Sequence, residues 1–428
     1  MHMTTKALVL LLAACRFAAN AGNAAWAEEA KAPAAARPSI TLAWVEKSVR
    51  ENNPAIRAAL ASAAAARGAA LASAAWPAPG LGVTYEDFPR PGFSPGDSGR
   101  KSFDISQEIP FPGKTFLAHR TASEEAGKAE AEARRVITEQ IFMARQAWWD
   151  LVVAAQSTRI LGRATDALVK ITELSAKRIK FGQVGRMEQL MDPMARMEQA
   201  SLKAMSLDLR LERRAAEAQL NALMGADPES ELGAPAEPAL PEYAEAGSTA
   251  WLDGGLDGSP LVAVALRDLR KMQAMRDQAR AGWLPDFMLQ YSAAEMKDGS
   301  RTGMAMAKVS VPLVWFWRPL GENRAASEET KGSEAMLEQS RLEVRRMAAE
   351  EFARVAVVRE QLDIFNAEIL PQADRALELA VSGYQSGSIG PADVLTAIRS
   401  YISMSIEHLM LAAQAVRSAA VLAKLRGD

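Results

Sequence analysis

The stretch Arg120-Thr121-Ala122-Ser123-Glu124-Glu125 recurs 204 positions later as Arg324-Ala325-Ala326-Ser327-Glu328-Glu329. Two other matches keep nearly the same offset: Asn53-Pro54 recurs as Ser259-Pro260, and Gly182-Gln183-Val184-Gly185 recurs as Gly387-Ser388-Ile389-Gly390. Several matches in one order at one offset indicate a duplicated structural unit. The sequence therefore predicts a chain built from two related halves.

Each half shows the same order of predicted elements: a helix, a strand hairpin, a long helix and a returning helix. The first repeat covers residues 41–224 and the second covers residues 259–426. The predicted segments are a helix over about 42–75, a hairpin over about 81–109, a long helix over 113–180 and a returning helix over 187–223, then a hairpin over about 286–311 and helices over 319–386 and 391–425.

Spacings of 3 and 4 between apolar residues predict coiled-coil seams in the long helices. Val355, Val358, Leu362, Phe365 and Ile369 follow this spacing in the second long helix. Pro371 is expected to kink or loosen the same helix, because proline removes one backbone hydrogen bond.

The strand regions alternate between apolar and polar side chains. Phe103, Ile105, Gln107 and Ile109 fall on one face of a strand, and the intervening residues, which are polar, fall on the other. In the last strand the outward set is Met304, Met306 and Lys308, or the residues that alternate with them.

Two hairpins supply four strands, which cannot close a barrel, and an open sheet in lipid leaves unsatisfied backbone groups. If the strands span a membrane, several subunits must therefore pool them. Aromatic residues near the strand ends fit either an interfacial belt or a small core between hairpins and helices. These residues are Trp76, Phe88, Phe93, Phe111, Trp283, Trp315, Phe316 and Trp317.

The N-terminus carries the features of an export signal: an apolar stretch and a small-residue site before Glu28. We predict that residues 1–27 are removed and that residues 28–40 form an N-terminal tail. A lipoprotein signal over residues 1–14 is the alternative, in which Cys15, the single cysteine of the chain, is acylated. Both interpretations place the protein outside the cytoplasm.

Charge and composition narrow the classes of partner. The chain has 428 residues, of which 49% are hydrophobic, and its 50 Lys and Arg residues are balanced by 52 Asp and Glu residues. This balance argues against a nucleic acid partner, which requires clustered positive charge. Beyond the N-terminus no window of about 18 consecutive apolar residues occurs, so a helical membrane span is not expected.

Residues 225–258, rich in Pro, Gly and acidic residues, form either an irregular belt against the helices or a flexible linker.

Several motifs together resemble the TolC family of outer-membrane efflux proteins. They are the export signal, the duplicated order of elements, the passage Gln107-Glu108-Ile109-Pro110-Phe111-Pro112-Gly113-Lys114, the Tyr384-x-x-Gly387 turn and Asp393-Val394-Leu395. The Ile-Pro-Phe-Pro-Gly-Lys part is similar to family members of the heavy-metal cation efflux branch.

The resemblance implies a mainly α fold with a small β-barrel contribution. Duplicated long coiled-coil hairpins would form a trimeric α-helical tunnel in the periplasm, and two β-hairpins from each of three subunits would form a shared 12-stranded barrel in the outer membrane of a Gram-negative bacterium. It also implies a non-enzymatic channel without a cofactor, which receives substrate from an inner-membrane pump through a periplasmic adaptor protein. Heavy-metal cations are the expected substrate, with organic compounds as the alternative. The competing hypothesis is a soluble periplasmic adaptor or scaffold without a pore.

The same resemblance implies a gate at the periplasmic helix tips. Asp393 matches the family's acidic residue at the start of the returning helix, Tyr384 matches its turn tyrosine, and Glu188 is the equivalent position in the first repeat. Three copies of Asp393 around a narrow axis would attract cations and repel one another. The alternative is that Asp393 only stabilises the first turn of its helix through the helix dipole. Thr396 and Ile389 stand where relatives carry a second acid and an arginine, so a double acidic ring and that salt bridge are not expected.

No catalytic constellation or metal-ligand spacing is found in the sequence, which has three histidines, at His2, His119 and His408. Met187, Met191, Met194 and Met197 form a stripe along the first returning helix. Their thioethers fit either transient binding of Cu(I) or Ag(I) or ordinary helix packing.

Overall fold

The computed structural model describes residues 39–87, 95–180, 186–236, 256–311 and 317–427, with backbone alone at 178–180 and 186–192. The predicted export signal with Cys15, the side chain of Glu188, and most of the predicted linker therefore lie outside the described residues. The predicted domain boundaries remain predictions.

Each half of the chain contributes helices, a strand pair and a returning helix. The first half contains α1 (Leu42–Asn52), α2 (Pro54–Ser73), β1 (Gly80–Glu86), β2 (Arg100–Ile109), α3 (Lys114–Lys180) and α4 (Arg186–Leu223). The second half contains α5 (Pro260–Arg280), β3 (Asp286–Met296), β4 (Arg301–Ser310), α6 (Trp317–Ile364), a π-helical turn (Phe365–Ile369), α7 (Leu370–Ser386) and α8 (Pro391–Arg426). The mainly α fold with two β-hairpins that the sequence predicts is confirmed.

The first predicted helix is divided at Asn53, whose backbone is extended. Asn53 Oδ1 accepts hydrogen bonds from the amides of Ala55 and Ile56 at 2.8 and 3.1 Å, and therefore caps α2. Its Nδ2 donates to the Leu223 carbonyl at 2.8 Å. Pro54 occupies the first position of α2, where its missing amide costs no hydrogen bond.

The helices pack around α3, which contacts α2, α4, α5 and α8. At 67 residues, α3 is about 100 Å long. The core is accordingly spread along the helices as separate clusters, and the predicted seam residues Val355, Val358, Leu362 and Phe365 are all buried. This confirms the coiled-coil seams, in which small and medium side chains allow close helix packing.

The second long helix is interrupted immediately before Pro371. Residues Phe365–Ile369 form a π-helical turn, after which α7 begins at Leu370. A π turn accommodates the backbone that proline cannot bond in an α-helix. The predicted loosening at Pro371 is therefore confirmed.

The four strands form one antiparallel sheet in the order β1-β2-β3-β4. The centre of the sheet is the β2–β3 pair, which joins the two halves of the chain with Arg100 opposite Met296 and Ile109 opposite Phe287. Both outer strands, β1 and β4, have one edge without a strand partner in the described sheet.

One described helix, Pro54–Ser73, is long and apolar enough to cross a bilayer by length and composition alone. The helix contains Arg57 and Arg67, so it does not supply the window of about 18 consecutive apolar residues that the sequence lacks. The helix is rich in alanine and packs along α3, to which Arg67 on α2 is tied by a 2.6 Å ion pair with Glu130. A core helix satisfies the same length and composition test, so this helix alone is weak evidence for a span.

Candidate functional site

The two faces of the sheet differ in chemistry and in exposure. One face carries Leu81, Val83, Phe103, Ile105 and Leu289, which are 82, 52, 63, 48 and 50% exposed. The opposite face carries mainly polar side chains, among them the buried Ser102 and Ser292. A soluble sheet buries its apolar face and exposes its polar face. Here the arrangement is reversed, which is what a sheet facing lipid on its apolar side requires.

The register decides the open question about the last strand. Ala305 pairs with Tyr291 and Val309 pairs with Phe287, so these alternates lie on the apolar face. Met304 pairs with Ser292 and therefore lies on the polar face, as do Met306 and Lys308. In the last strand the alanine and valine residues therefore form the apolar face, and the methionines lie on the polar face.

The tryptophans near the strand ends are exposed where the structure describes them, whereas Phe111 is half-buried. Trp76, Trp283 and Trp317 are 60, 43 and 63% exposed. Such exposure does not fit a small core between hairpins and helices, whereas indole rings at the edge of an apolar surface fit a membrane interface.

A lysine and an aspartate fix the junction between the sheet and the helices. Lys114, the first residue of α3, donates to Asp286 Oδ2 at 2.8 Å and to the Leu284 carbonyl at 2.8 Å. Asp286, the first residue of β3, also accepts from the Phe111 amide at 3.1 Å through its Oδ1. The Ile-Pro-Phe-Pro-Gly-Lys passage of the first half is therefore bonded directly to the second half, where sheet and bundle meet.

The turn between α7 and α8 is held by one carbonyl group. The carbonyl of Gly383 accepts hydrogen bonds from the amides of Ser388 and Ile389 at 2.9 and 3.2 Å, and from the hydroxyls of Ser386 and Ser388 at 3.0 and 3.1 Å. Gly387 ends α7 with a φ of 82°, in the left-handed region that favours glycine. A Cβ on Gly383 would lie 2.5 Å from Ile389 Cδ1, so the Ile389 side chain would have to shift to admit one.

The residues predicted for the gate occupy different environments around this turn. Tyr384 is 1% exposed and packs in a cluster with Leu377, Val394 and Ile398. Asp393 lies in the first turn of α8, is exposed, and makes no hydrogen bond or ion pair within the described part of the chain. The structure thus places Tyr384 in the packing of the turn and leaves the Asp393 carboxylate accessible, while Glu188 lies on α4 with its side chain outside the described residues.

An ion pair between a buried glutamate and an exposed arginine, which the sequence did not predict, joins α4 to α8. The guanidinium of Arg399 donates to Glu198 Oε2 from Nη2 at 2.5 Å and from Nε at 2.9 Å. The Glu198 side chain is 6% exposed and that of Arg399 is 56% exposed. Hydrogen bonding to Glu198 raises the pKa of Arg399 further above its usual value. This pair links the returning helices of the two halves in the region that leads into the α7–α8 turn.

The methionine stripe does not form one continuous surface where the structure describes it. Met194 is partly buried against the cluster that contains Tyr384, whereas Met197 is 61% exposed. Met187 and Met191 lie where side chains are not described. Within the described residues, no group of three or more His, Cys, Asp or Glu side chains is arranged to hold a metal ion.

His408 lies beside the π-helical turn, in a cavity of about 440 Å³ between α3, α7 and α8. Its ring is 6.2 Å from that of Phe365, and its Nε2 is buried without a hydrogen-bond partner among the described residues. Burial lowers the pKa of His408 below its usual value, because desolvation disfavours the charged imidazolium. Arg163 and Asp374 line the same cavity and pair with each other at 3.1 Å.

Comparison with known proteins shows that this fold is shared with outer-membrane proteins. Residues 251–428 match the family described as Outer membrane efflux protein. The chain has the fold of the outer membrane protein VceC from Vibrio cholerae, with a TM-score of 0.74 at 18% identity over 90% of this chain and 96% of that chain. It is equally similar to the open state of the MtrE outer membrane channel of Neisseria gonorrhoeae, with a TM-score of 0.75 at 18% identity over 90% of this chain and 88% of that chain.

A curated relative is the cobalt-zinc-cadmium resistance protein CzcC of Cupriavidus metallidurans, which is 23% identical over 289 residues. That alignment spans 66% of this chain and 66% of the relative. The fold of this chain is therefore that of these solved outer-membrane proteins. The match over residues 251–428 and the shared fold support the resemblance to the TolC family of outer-membrane efflux proteins. The resemblance stated from the sequence is confirmed, and the adaptor hypothesis is not favoured.

Proposed function

We propose that three copies of this chain form a channel across the outer membrane that releases heavy-metal cations from the cell. The observation that carries this proposal is the exposed apolar face of a four-stranded sheet with two open edges. An open sheet edge in lipid leaves amide and carbonyl groups without hydrogen bonds, at several kcal/mol for each group. Pairing β4 of one copy with β1 of the next removes these edges, and the polar face then lines an aqueous passage.

The substrate and the partners follow from the family and from the relative CzcC, whose name states resistance to cobalt, zinc and cadmium. We infer that this channel receives such divalent cations from an inner-membrane pump through a periplasmic adaptor protein. The channel itself breaks no bond, and its part is to provide a polar passage. Net transport then depends on the pump that supplies the free energy.

The accessible carboxylate of Asp393 supports a role at the periplasmic entrance. Three copies around one axis would place three negative charges close together at the tips of α8. Such a ring attracts divalent cations and is itself stabilised when a cation binds. Tyr384 would act indirectly, because it packs beneath the turn that positions α8, and Glu188 would contribute at the equivalent position of α4.

Channel activity is tested with purified protein in planar bilayers and with metal tolerance in cells. We expect the protein to purify from the outer membrane as a trimer, to conduct, and to restore cobalt, zinc and cadmium tolerance to a strain that lacks the outer-membrane component of such an exporter. A soluble monomer without conductance would refute the channel.

The entrance role of Asp393 needs a separate comparison. We expect Asp393→Asn to weaken the block of the current by added divalent cations, while Asp363→Asn, which removes an exposed carboxylate from α6, leaves the block unchanged. Equal block in both variants and in the wild-type protein would discard the role of Asp393.

A further inference from the structure

An arginine-lined cavity lies between α3 and α5, beside the end of α1 and the end of α8. Its volume is about 530 Å³. Ile137, Ile141 and Leu266 give it an apolar part. Four arginines also line it: Arg50, Arg134, Arg267 and Arg270.

The cavity interrupts a series of ion pairs that otherwise joins α3 to α5. Arg120 pairs with Asp277 at 3.2 Å, Lys271 with Glu125 at 2.6 Å, and Lys128 with Asp268 at 2.7 Å. In each of these pairs one helix supplies a cation and the other supplies a carboxylate. Further along α3 the pattern fails, because Arg134 on α3 and Arg270 on α5 line the same space.

The described part of the chain does not supply the missing negative charge. Asp257 is the single acidic residue in the described lining, and its Oδ1 already accepts from Nε and Nη2 of Arg341 at 3.1 and 2.9 Å. Arg267 reaches Glu124 at 3.7 Å. Arg50, Arg134 and Arg270 are exposed, and their guanidinium groups make no ion pair or hydrogen bond to any residue that the structure describes. Like charges that share a cavity repel one another unless a counter-charge enters.

We propose that this cavity binds an oxyanionic group, a carboxylate or a phosphate. Guanidinium groups donate paired hydrogen bonds that match both anions, and hydrogen bonds between charged partners are the stronger ones in proteins. A bound anion between Arg134 and Arg270 would continue the ion-pair series and hold the first half of the chain against the second.

The anion has two possible sources with the same chemistry. One is a free multivalent anion. The other is the chain itself, because residues 237–255 contain Glu237, Glu242, Glu245 and Asp253 but no lysine or arginine, and they rejoin the described chain next to Asp257.

Calorimetric titration of the full-length protein in detergent, with citrate and with inorganic phosphate as probes, tests the proposal. We expect Arg134→Gln and Arg270→Gln each to weaken binding by about tenfold or more, the loss of one charged hydrogen bond. Arg57→Gln is the matched control, since Arg57 is exposed on α2 and outside the cavity. It should leave the affinity unchanged.

A second variant separates the two sources. In it the four acidic residues of 237–255 are replaced by Gln or Asn. Binding to the wild-type protein that depends on Arg134 and Arg270 identifies a free anion. Binding that appears only in the neutralised variant, and is again lost in Arg134→Gln, identifies the chain's own carboxylates. Absence of arginine-dependent binding in both proteins would overturn the proposal.

Discussion

Removing Arg399 should leave the Glu198 carboxylate buried without a counter-charge. Both hydrogen bonds of the pair end on the same oxygen, Glu198 Oε2, at 2.5 and 2.9 Å. Because α4 and α8 otherwise make few contacts, this pair is a principal link between the returning helices. The substitution Arg399→Met removes the charge and keeps most of the apolar stem, so it isolates the ionic contribution.

The magnitude follows from the burial of each partner. Breaking a fully buried pair by removing one partner costs about 3–5 kcal/mol. The Arg399 side chain is 56% exposed, so solvent screens part of the interaction. The free energies of two hydrogen bonds that end on the same oxygen also do not add. We therefore expect a loss near 2 kcal/mol, closer to one charged hydrogen bond of about 1.5–3 kcal/mol. Glu198→Leu combined with Arg399→Met should recover much of this loss, because the buried charge is then absent.

Thermal unfolding of the detergent-solubilised protein measures this effect. A loss of about 2 kcal/mol in the free energy of unfolding corresponds to a decrease of a few degrees in the midpoint temperature of unfolding. Arg346→Met is the matched control, since Arg346 pairs with Glu343 and Glu350 on the surface of α6, where solvent screens exposed ion pairs and they contribute little to stability. If Arg399→Met unfolds at the same temperature as Arg346→Met, the assigned contribution of the pair is wrong. Equal destabilisation in the single and double variants would contradict the charge argument.

Three further substitutions test the turn, the histidine and the junction. Gly387→Ala should cost about 1–2 kcal/mol, because φ is 82° there and alanine is strained in the left-handed region; thermal unfolding measures it. The lowered pKa of His408 means that the unfolded chain binds a proton more readily than the folded chain does. Stability should therefore fall as the pH decreases below about 6.5, and His408→Gln should lessen this dependence in melting curves at pH 7.5 and 5.5. Lys114→Met removes the cation that Asp286 binds and should lower stability by about 1–2 kcal/mol, with less protein in the outer-membrane fraction.

Each of these substitutions has a contradicting outcome. A Gly387→Asn variant tolerates positive φ better than alanine, so equal losses for both would argue against backbone strain. An unchanged pH dependence in His408→Gln would show that other groups control it. Normal membrane assembly and melting of Lys114→Met would show that the Lys114 contacts at the junction are dispensable.

The fold was predictable because its signals are periodic. The repeat, the 3,4 spacing of Val355, Val358 and Leu362, and the alternation around Phe103 each report a regular element that persists in the structure. The last strand was ambiguous, because methionines alternate with small residues there. Pairing with β3 resolves it, because the register of the hairpin assigns each residue to a face and is not visible in the pattern of one strand alone.

The site was less predictable, because its contacts join residues far apart in the chain. Glu198 and Arg399 are 201 positions apart, and each taken alone resembles an ordinary polar residue of a solvated helix. The burial that makes the pair important arises only when α4 packs against α8. Lys114 lies in a passage that suggested the family, but its bonds to Asp286 and Leu284 depend on the β2–β3 pairing.

The central position of the β2–β3 pair has a consequence for biogenesis. A polypeptide is synthesised from its N-terminus, so β2 exists before β3, and everything between Ile109 and Asp286 must follow before β2 can be paired on that side. During this interval the first hairpin presents an unpaired backbone edge on β2, a feature that promotes aggregation. The duplicated arrangement thus leaves one edge of the first hairpin open until the second half of the chain has been synthesised.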